Sequence, residues 1–188
     1  AKVNKLAHKY DILVIYDEIL SGFRTGLSCA QGYYGVTPDI CTLGKALSNG
    51  VPLAAIVGKE EIMQQMQEGQ PPIVHGGTFS GNLLGVSAAH VSLDIMSRPD
   101  FYSNLFNNAA YFFDNLQRLF DDHGVAARVQ SLGSNFFIYF GTREAVTSYN
   151  QIQTLVDRDF EKKFAIACIE KGIYFHTDFT ISALHTKQ

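Results

Sequence analysis

Hydrophobic positions in the first half of the chain switch between two spacings. Residues 2–10 place apolar side chains three and four positions apart, which predicts the end of a helix. Residues 12–16 form an unbroken aliphatic run, which predicts a strand buried on both faces of a parallel sheet. The runs at 40–43 and 53–57 predict two further strands, and residues 83–96 predict a long helix. This alternation of strands and helices is typical of an α/β domain.

The second half of the chain has a different order of elements. The pattern predicts a helix at 101–120, strands at 125–129 and 136–140, a helix at 160–169 and a short apolar run at 173–175. An order of strand, strand, helix and strand indicates a separate, smaller α+β unit. We therefore predict two domains, residues 1–105 and residues 106–188.

Composition and charge exclude several classes of protein. Of 188 residues, 46% are hydrophobic and 18% are charged, which is enough for a packed core and excludes a disordered chain. The formal net charge of -3 offers no basic surface for nucleic acid. The apolar runs are too short to cross a bilayer, so neither nucleic acid nor a membrane is an expected partner.

Three widely spaced cysteines, Cys29, Cys41 and Cys168, form neither a disulfide framework nor a metal-binding pair. We expect buried or half-buried thiols in a reducing compartment, and no bound metal. No apolar signal segment follows the first lysines. The default expectation is a cytoplasmic protein.

Two segments resemble catalytic motifs but fail on spacing. Gly44-Lys45 lacks the earlier glycine of a phosphate-binding loop, because Asp39 stands at that position. Residues 75–77 resemble an esterase oxyanion loop, yet no G-x-S-x-G nucleophile elbow accompanies them. Neither motif predicts the function of the chain.

A carboxylate and a lysine follow two neighbouring predicted strands. Asp17 comes directly after the strand at 12–16, at the end of the sheet where open α/β folds bind ligands. A turn or helix-capping role is the alternative. Lys45 follows the next strand among small and apolar neighbours, which predict poor solvation and hence a nucleophilic amine. A lysine for a carbonyl and a carboxylate for a pyridinium nitrogen are complementary parts of a pyridoxal phosphate site.

Five short segments, in this order and spacing, resemble the class III pyridoxal-phosphate-dependent aminotransferases. They are VIYDEI at 14–19, GFRTG at 22–26, PDI at 38–40, LGK at 43–45 and GTFSGN at 77–82. The resemblance implies a fold-type I transferase, with part of the large parallel-sheet domain followed by a small C-terminal α+β domain. It also implies that the chain is roughly the C-terminal half of a larger enzyme, whose other half supplies the phosphate-binding loop and a ring-stacking aromatic residue.

The resemblance assigns roles to four residues. Lys45 would form the Schiff base with pyridoxal 5'-phosphate and move the substrate proton, while Asp17 would keep the pyridine nitrogen protonated. Ile19 would press on one face of the ring, although an ordinary core position is its alternative. Thr78 would donate its hydroxyl to the cofactor phosphate of a neighbouring subunit, which implies a homodimer with shared active sites. A turn before a helix is the alternative role of Thr78.

The activity implied is amino-group transfer between an amino acid or amine and a keto or aldehyde acceptor. Leu20, the segment 22–24 without an inner glycine, and residues 182–186 resemble the glutamate-1-semialdehyde aminomutase branch. Residues 43–50, which lack that branch's usual glycine-rich run after the lysine, and Leu83 depart from it. The aminotransferase is therefore the first hypothesis and the aminomutase the second. A non-catalytic α/β scaffold is the alternative of another class.

The sequence does not predict the substrate. No arginine stands out as a partner for a distal substrate carboxylate, and Arg24 suits a structural role as well as a functional one.

Overall fold

The structure, a computed structural model, describes residues 2–69, 71, 73–174 and 179–187. The chain divides into two compact units, Ala1–Phe101 and Tyr102–Gln188. The domain boundary after residue 105 stays a prediction.

The first unit alternates helices and strands in its early part, as the hydrophobic pattern predicts. Its elements are α1 (Lys2–Lys9), β1 (Ile15–Glu18), α2 (Cys29–Tyr34), β2 (Ile40–Leu43), a 3-10 turn (Lys45–Leu47), β3 (Ala55–Gly58), α3 (Glu60–Met63), α4 (Gln65–Glu68) and α5 (Leu83–Met96). The predicted bounds of β2 and α5 are confirmed. The Asn82 side chain caps α5 by accepting a hydrogen bond from Gly85 N–H at 2.7 Å.

The three strands form one sheet in the order β1-β2-β3. β1 and β2 are parallel, but β2 and β3 are antiparallel, so the predicted parallel sheet is wrong for its third strand. The connections explain the difference. α2 lies between β1 and β2, whereas only the 3-10 turn lies between β2 and β3. A parallel crossover needs about a dozen or more residues, usually including a helix.

β1 differs from its prediction in position and in burial. It spans Ile15–Glu18, later than the predicted strand at 12–16. The prediction of burial on both faces is wrong, since Ile12, Leu13 and Ile15 are 58%, 56% and 60% exposed. β1 is an edge strand of the described sheet, so no neighbouring strand covers its free side.

The second unit is α+β, as predicted. Its elements are α6 (Phe101–Asp122), which begins at the last residue of the first unit, β4 (Ala127–Leu132), β5 (Asn135–Phe140), α7 (Tyr149–Leu155), α8 (Arg158–Glu170) and β6 (Phe179–Thr180). The three strands form an antiparallel sheet in the order β4-β5-β6.

Aromatic side chains build the core of the second unit. Phe140 on β5 is 1% exposed, and its ring centroid lies 5.5 Å from that of Phe120 on α6. The rings of Phe160 and Phe164 on α8 each lie 5.0 Å from Phe140. Edge-to-face and tilted contacts of this kind stabilise the packing of helices on a sheet.

Two features of the second unit were not predicted. α7 is capped by a reciprocal pair, because the Ser148 hydroxyl accepts from Gln151 N–H while the Gln151 side chain accepts from Ser148 N–H. The predicted strand at 173–175 is wrong for Ile173 and Tyr174, which lie outside any strand, and Phe175 lies outside the described residues. β6 follows at Phe179–Thr180 instead.

Among the helices of the described residues, none has the length and apolar character needed to cross a membrane.

Candidate active site

β1 and β2 lie side by side and end at the same edge of the sheet. Asp17 pairs with Thr42, and Glu18 pairs with Leu43. Asp17 therefore lies inside β1, and the prediction that it follows the strand is wrong, because pairing with β2 continues beyond the aliphatic run. Lys45 begins the 3-10 turn that follows β2. Asp17 and Lys45 are thus both at the carboxyl ends of neighbouring parallel strands, where ligands bind in such sheets.

The exposed Asp17 carboxylate is held through one of its oxygens. Oδ1 accepts hydrogen bonds from Ile19 N–H at 3.0 Å and from the Thr42 hydroxyl at 3.2 Å. The bond to Ile19 closes a short side-chain turn, so the alternative turn role also describes Asp17. Within the described part of the chain, Oδ2 accepts no hydrogen bond. Asp17 lies beside a cavity of about 560 Å³ that Tyr16 and Tyr34 also line.

Lys45 is exposed and has a left-handed backbone, with φ of +43°. The predicted poor solvation of this lysine is wrong for the described chain. The turn buries Leu47 and Ser48, while Lys45 at its start remains outside. Its amine is therefore open to a carbonyl ligand.

Ile19 and Gly44 approach each other beside Lys45. A Cβ placed on Gly44 would lie 3.1 Å from Ile19 Cδ1 and 3.5 Å from Ile19 Cγ2. Ile19 is half-buried, so it is neither a fully buried core residue nor a free surface side chain. The contact places Ile19 next to the residue that precedes Lys45. Asp17, Ile19 and Lys45 are therefore brought together at one end of β1 and β2.

Glu18 anchors the loop behind this site, a role that the sequence did not reveal. Its side chain is 2% exposed and accepts hydrogen bonds from Ala30 N–H at 2.8 Å, Gln31 N–H at 2.9 Å and the Ser21 hydroxyl at 2.9 Å. Ala30 and Gln31 belong to the first turn of α2, whose N–H groups have no partner within the helix. The acidic pair that ends the apolar run at 12–16 is the only signal of this anchor in the sequence.

Asp39 is a second buried carboxylate that sequence reasoning missed. It accepts hydrogen bonds from Lys59 Nζ at 2.7 Å, Val14 N–H at 2.7 Å and His8 Nε2 at 3.0 Å. The hydrogen bond from Lys59, followed by those from Val14 and His8, holds the pKa of Asp39 well below its usual value. The same contact raises the pKa of Lys59. Asp39, which directly precedes β2, thereby connects α1 with the residues just before β1 and α3.

Thr78 lies in a turn on a different loop from the other three predicted residues. With Leu53, His75 and Ser80 it lines a cavity of about 690 Å³, and neither Asp17 nor Lys45 lines that cavity. The loop is tied to its neighbour by Asn82 Nδ2, which donates to the Pro52 carbonyl at 3.3 Å. The described chain thus gathers Asp17, Ile19 and Lys45 but leaves Thr78 at a separate cavity.

The cysteines and Arg24 provide no further reactive group. Cys29 and Cys41 are buried and Cys168 is half-buried, as predicted, and none forms a disulfide. Burial raises the pKa of Cys41 to about 11 and that of Cys29 in the same direction, so both thiols stay protonated. Arg24 Nε is buried without a hydrogen-bond partner in the described residues, and burial lowers the pKa of Arg24.

The groups at the end of β1 and β2 fit pyridoxal phosphate. The free oxygen of Asp17 suits a protonated ring nitrogen, the exposed amine of Lys45 suits an aldehyde, and Ile19 offers an aliphatic surface to a flat ring. Across the residues that the structure describes, no group of three or more His, Cys, Asp and Glu side chains could hold a metal ion.

The sequence model of the family described as Aminotransferase class-III matches residues 1–186. The chain belongs to the class III aminotransferase family. Pyridoxal phosphate is the cofactor of this family. The predicted family is therefore confirmed, and its cofactor is the predicted one.

Relatives of this class III aminotransferase chain are found among sequences and among solved structures. It is 35% identical over 175 residues to glutamate-1-semialdehyde 2,1-aminomutase of Nitrosospira multiformis, a match that covers 93% of this chain and 40% of that protein. The chain spans about two-fifths of the length of this curated relative.

Solved structures confirm the predicted fold. An omega-transaminase from Sphaerobacter thermophilus matches with a TM-score of 0.84 and 24% identity, over 99% of this chain and 43% of that one. A glutamate-1-semialdehyde-aminomutase from Pseudomonas aeruginosa PAO1 matches with a TM-score of 0.83 and 19% identity, over 98% and 43%. The class III chain has the mixed α/β fold of part of these enzymes.

Proposed function

We propose that this chain binds pyridoxal phosphate at Asp17, Ile19 and Lys45 and is part of a transaminase. The enzyme would move an amino group from an amino acid or amine to a keto or aldehyde acceptor. The observation that carries the proposal is the placement of these three residues at one end of β1 and β2. Membership in a family of enzymes disfavours the non-catalytic scaffold.

Each residue has a defined task in this proposal. Pyridoxal phosphate supplies, when bound, an electron sink for bond breaking at the α-carbon of an amine. Lys45 Nζ would hold the cofactor covalently through its aldehyde carbon, with loss of water, and, once the substrate amine has displaced it, would carry the proton to and from the substrate α-carbon. Asp17 Oδ2 would keep a proton on the pyridine nitrogen, and Ile19 would contact one face of the ring. The Thr78 hydroxyl would donate a hydrogen bond to a cofactor phosphate.

Thr78 leads us to propose a homodimer with shared active sites. Thr78 is exposed and lines a cavity apart from the Asp17 cavity. A hydroxyl so placed is available to the site of a second subunit. The test is the oligomeric state of the full-length protein, together with cofactor affinity in Thr78→Val, which we expect to fall.

We also propose that further parts of the enzyme cover the apolar surface beside β1. Ile12, Leu13 and Ile15 are each more than half exposed in this chain. The relatives are more than twice as long as the segment that this chain matches. Two further predictions are kept as separate proposals. They are the domain division after residue 105 and a cytoplasmic location.

A second candidate function is aminomutase activity, in which the amino group returns to the same carbon skeleton. Its support is the aminomutase relative at 35% identity, together with Leu20 and the segment 22–24. A single turnover of the cofactor-loaded enzyme with an amino donor separates the two functions. Release of a keto acid supports the aminotransferase, and recovery of an isomer of the donor supports the aminomutase.

The experiment for the main proposal is Lys45→Ala in the full-length protein. We expect loss of the visible absorbance of the lysine-bound cofactor and of transamination. The matched control is Lys163→Ala, which removes an exposed lysine of α8 and should change neither signal. Unchanged absorbance and activity in Lys45→Ala would overturn the assignment of Lys45.

A further inference from the structure

Thr42 and Asp17 face each other directly across two parallel strands. They are register partners of β2 and β1, and the Thr42 hydroxyl donates to Asp17 Oδ1 at 3.2 Å. Since side chains alternate along a strand, Cys41 and Leu43 point to the opposite face from Thr42. Thr42 is therefore the residue of β2 that is placed to contact the Asp17 side chain.

The hydrogen bonds to Asp17 converge on a single oxygen. Ile19 N–H donates to Oδ1 at 3.0 Å, in addition to the Thr42 hydroxyl. An exposed carboxylate rotates readily about its terminal torsion, which has broad minima. Two donors from different directions, one from the loop and one from the next strand, restrict that rotation. They leave Oδ2 without a partner among the described residues.

The two hydrogen-bond donors to Asp17 differ in whether they depend on the identity of the side chain. The Ile19 N–H belongs to the backbone, and it remains whatever side chain occupies position 19. The Thr42 hydroxyl is a side-chain group, and the structure gives it no other hydrogen bond within the described chain. Valine has the same shape as threonine and would suit this position in the central strand equally well. Strand pairing alone therefore does not explain the hydroxyl.

We infer that Thr42 is a positioning residue, whose hydroxyl fixes the Asp17 carboxylate so that Oδ2 faces the pyridine nitrogen of the cofactor. This inference rests on the proposed function of Asp17. Thr42 acts on Asp17 and has no contact with substrate in this role. A carboxylate held in its working orientation binds the protonated ring without first losing rotational freedom.

The test uses the full-length, cofactor-loaded protein with four variants at the pair. Thr42→Val removes the hydroxyl and keeps the shape, and Thr42→Ala is a second variant without the hydroxyl in case valine impairs folding. Thr42→Ser retains the hydroxyl, and Asp17→Asn removes the charge of its partner. Thr154→Val on α7 is the matched control, because among the described residues that hydroxyl donates only to the Asn150 carbonyl of its own helix.

Three readouts separate positioning from a merely structural role. The chemical shift of the isotope-labelled ring nitrogen reports its protonation, titration gives cofactor affinity, and steady-state kinetics gives kcat and KM. We expect Thr42→Val to lower kcat about tenfold, the order of effect of one hydrogen bond to a charged group, with the KM of the amino donor unchanged. The ring-nitrogen shift should move toward the unprotonated value. Thr42→Ser keeps the hydroxyl, so it should retain the kcat and the ring-nitrogen shift of the wild type.

A double-mutant cycle decides whether Thr42 acts through Asp17. We expect Thr42→Val to have no further effect on kcat or on the nitrogen shift in the Asp17→Asn background. A full effect in that background, or unchanged kcat and shift in Thr42→Val alone, would overturn the inference about Thr42. If Asp17→Asn itself changed neither cofactor binding nor activity, the proposed role of Asp17 would fail, and the inference would fail with it.

Discussion

The Glu18 carboxylate accepts a hydrogen bond from Ala30 N–H at 2.8 Å and so ties the end of β1 to the first turn of α2. The neighbouring residue, Asp17, points to the opposite face of the same strand. One acidic residue therefore holds the loop between β1 and β2, while the other is exposed on the opposite face. In the proposed function, that exposed face is where the cofactor binds.

Glu18→Gln should destabilise the protein by about 3 kcal/mol, because one carboxylate oxygen that accepts hydrogen bonds is replaced by an amide that donates. Glu18 is 2% exposed, so water cannot replace the lost bonds. Urea denaturation of the full-length protein measures the loss. Glu170→Gln at the exposed end of α8 is the control and should leave stability near that of the wild type. An equal, small change in both variants would show that Glu18 is not an anchor.

Asp39 should make the stability of the protein sensitive to acid. Its pKa in the folded state is well below the value of about 3.9 expected in the unfolded chain. Its contribution is therefore present above about pH 4 and is lost as the pH falls toward the folded-state pKa. Asp39→Asn should be less stable than the wild type at neutral pH, and the difference should shrink in acid. A stability difference that stayed the same from neutral pH into acid would contradict this role of Asp39.

Gly44→Ala tests the close approach of Ile19. The added Cβ would lie 3.1 Å from Ile19 Cδ1, so the isoleucine must move. We expect destabilisation by about 1 kcal/mol, at the lower end for overpacking, because the atom in the way is the end of a side chain. Ile19→Val removes that atom. The double variant should therefore be more stable than the sum of the single effects implies, and strict additivity would contradict the contact.

Phe140→Ala should destabilise the second unit by about 3–5 kcal/mol, the range for a large aromatic side chain in a core. The residue is 1% exposed and contacts rings on both α6 and α8. Phe137, on the same strand, is 44% exposed and provides the control. Phe137→Ala should have a much smaller effect on the midpoint of chemical unfolding. Similar midpoints for the two variants would show that Phe140 is not central to the core.

Elements with strong periodicity were predictable from the sequence. The small-residue helix α5 and strand β2 have the predicted bounds, since each is flanked by a capping or breaking residue, Asn82 before the helix and Gly44 after the strand. β1 was misplaced because its limits are set by pairing with β2, which the aliphatic run at 12–16 does not report. α7 was missed because its signal is the Ser148–Gln151 capping pair, not its apolar periodicity.

The sequence indicated the candidate residues of the site, but it did not indicate the hydrogen bonds that hold the surrounding structure in place. The sequence indicated that Asp17 and Lys45 lie at the ends of neighbouring strands, and the structure places both there. Their catalytic roles stay predictions. Glu18 and Asp39 were missed because their roles depend on long-range hydrogen bonds, to Ala30 and to Lys59 and His8. The exposure of Lys45 was also unpredictable, because the turn that carries it buries the apolar neighbours on which the expectation rested.

The most direct test of the central claim is to trap the cofactor on its lysine. The full-length protein loaded with pyridoxal phosphate is reduced with borohydride, digested and analysed by tandem mass spectrometry. The proposed function predicts the mass of the reduced cofactor on the peptide that contains Lys45, and on no other lysine of the chain. Stoichiometric modification of a different lysine, or no trapped cofactor on the folded protein, would contradict it.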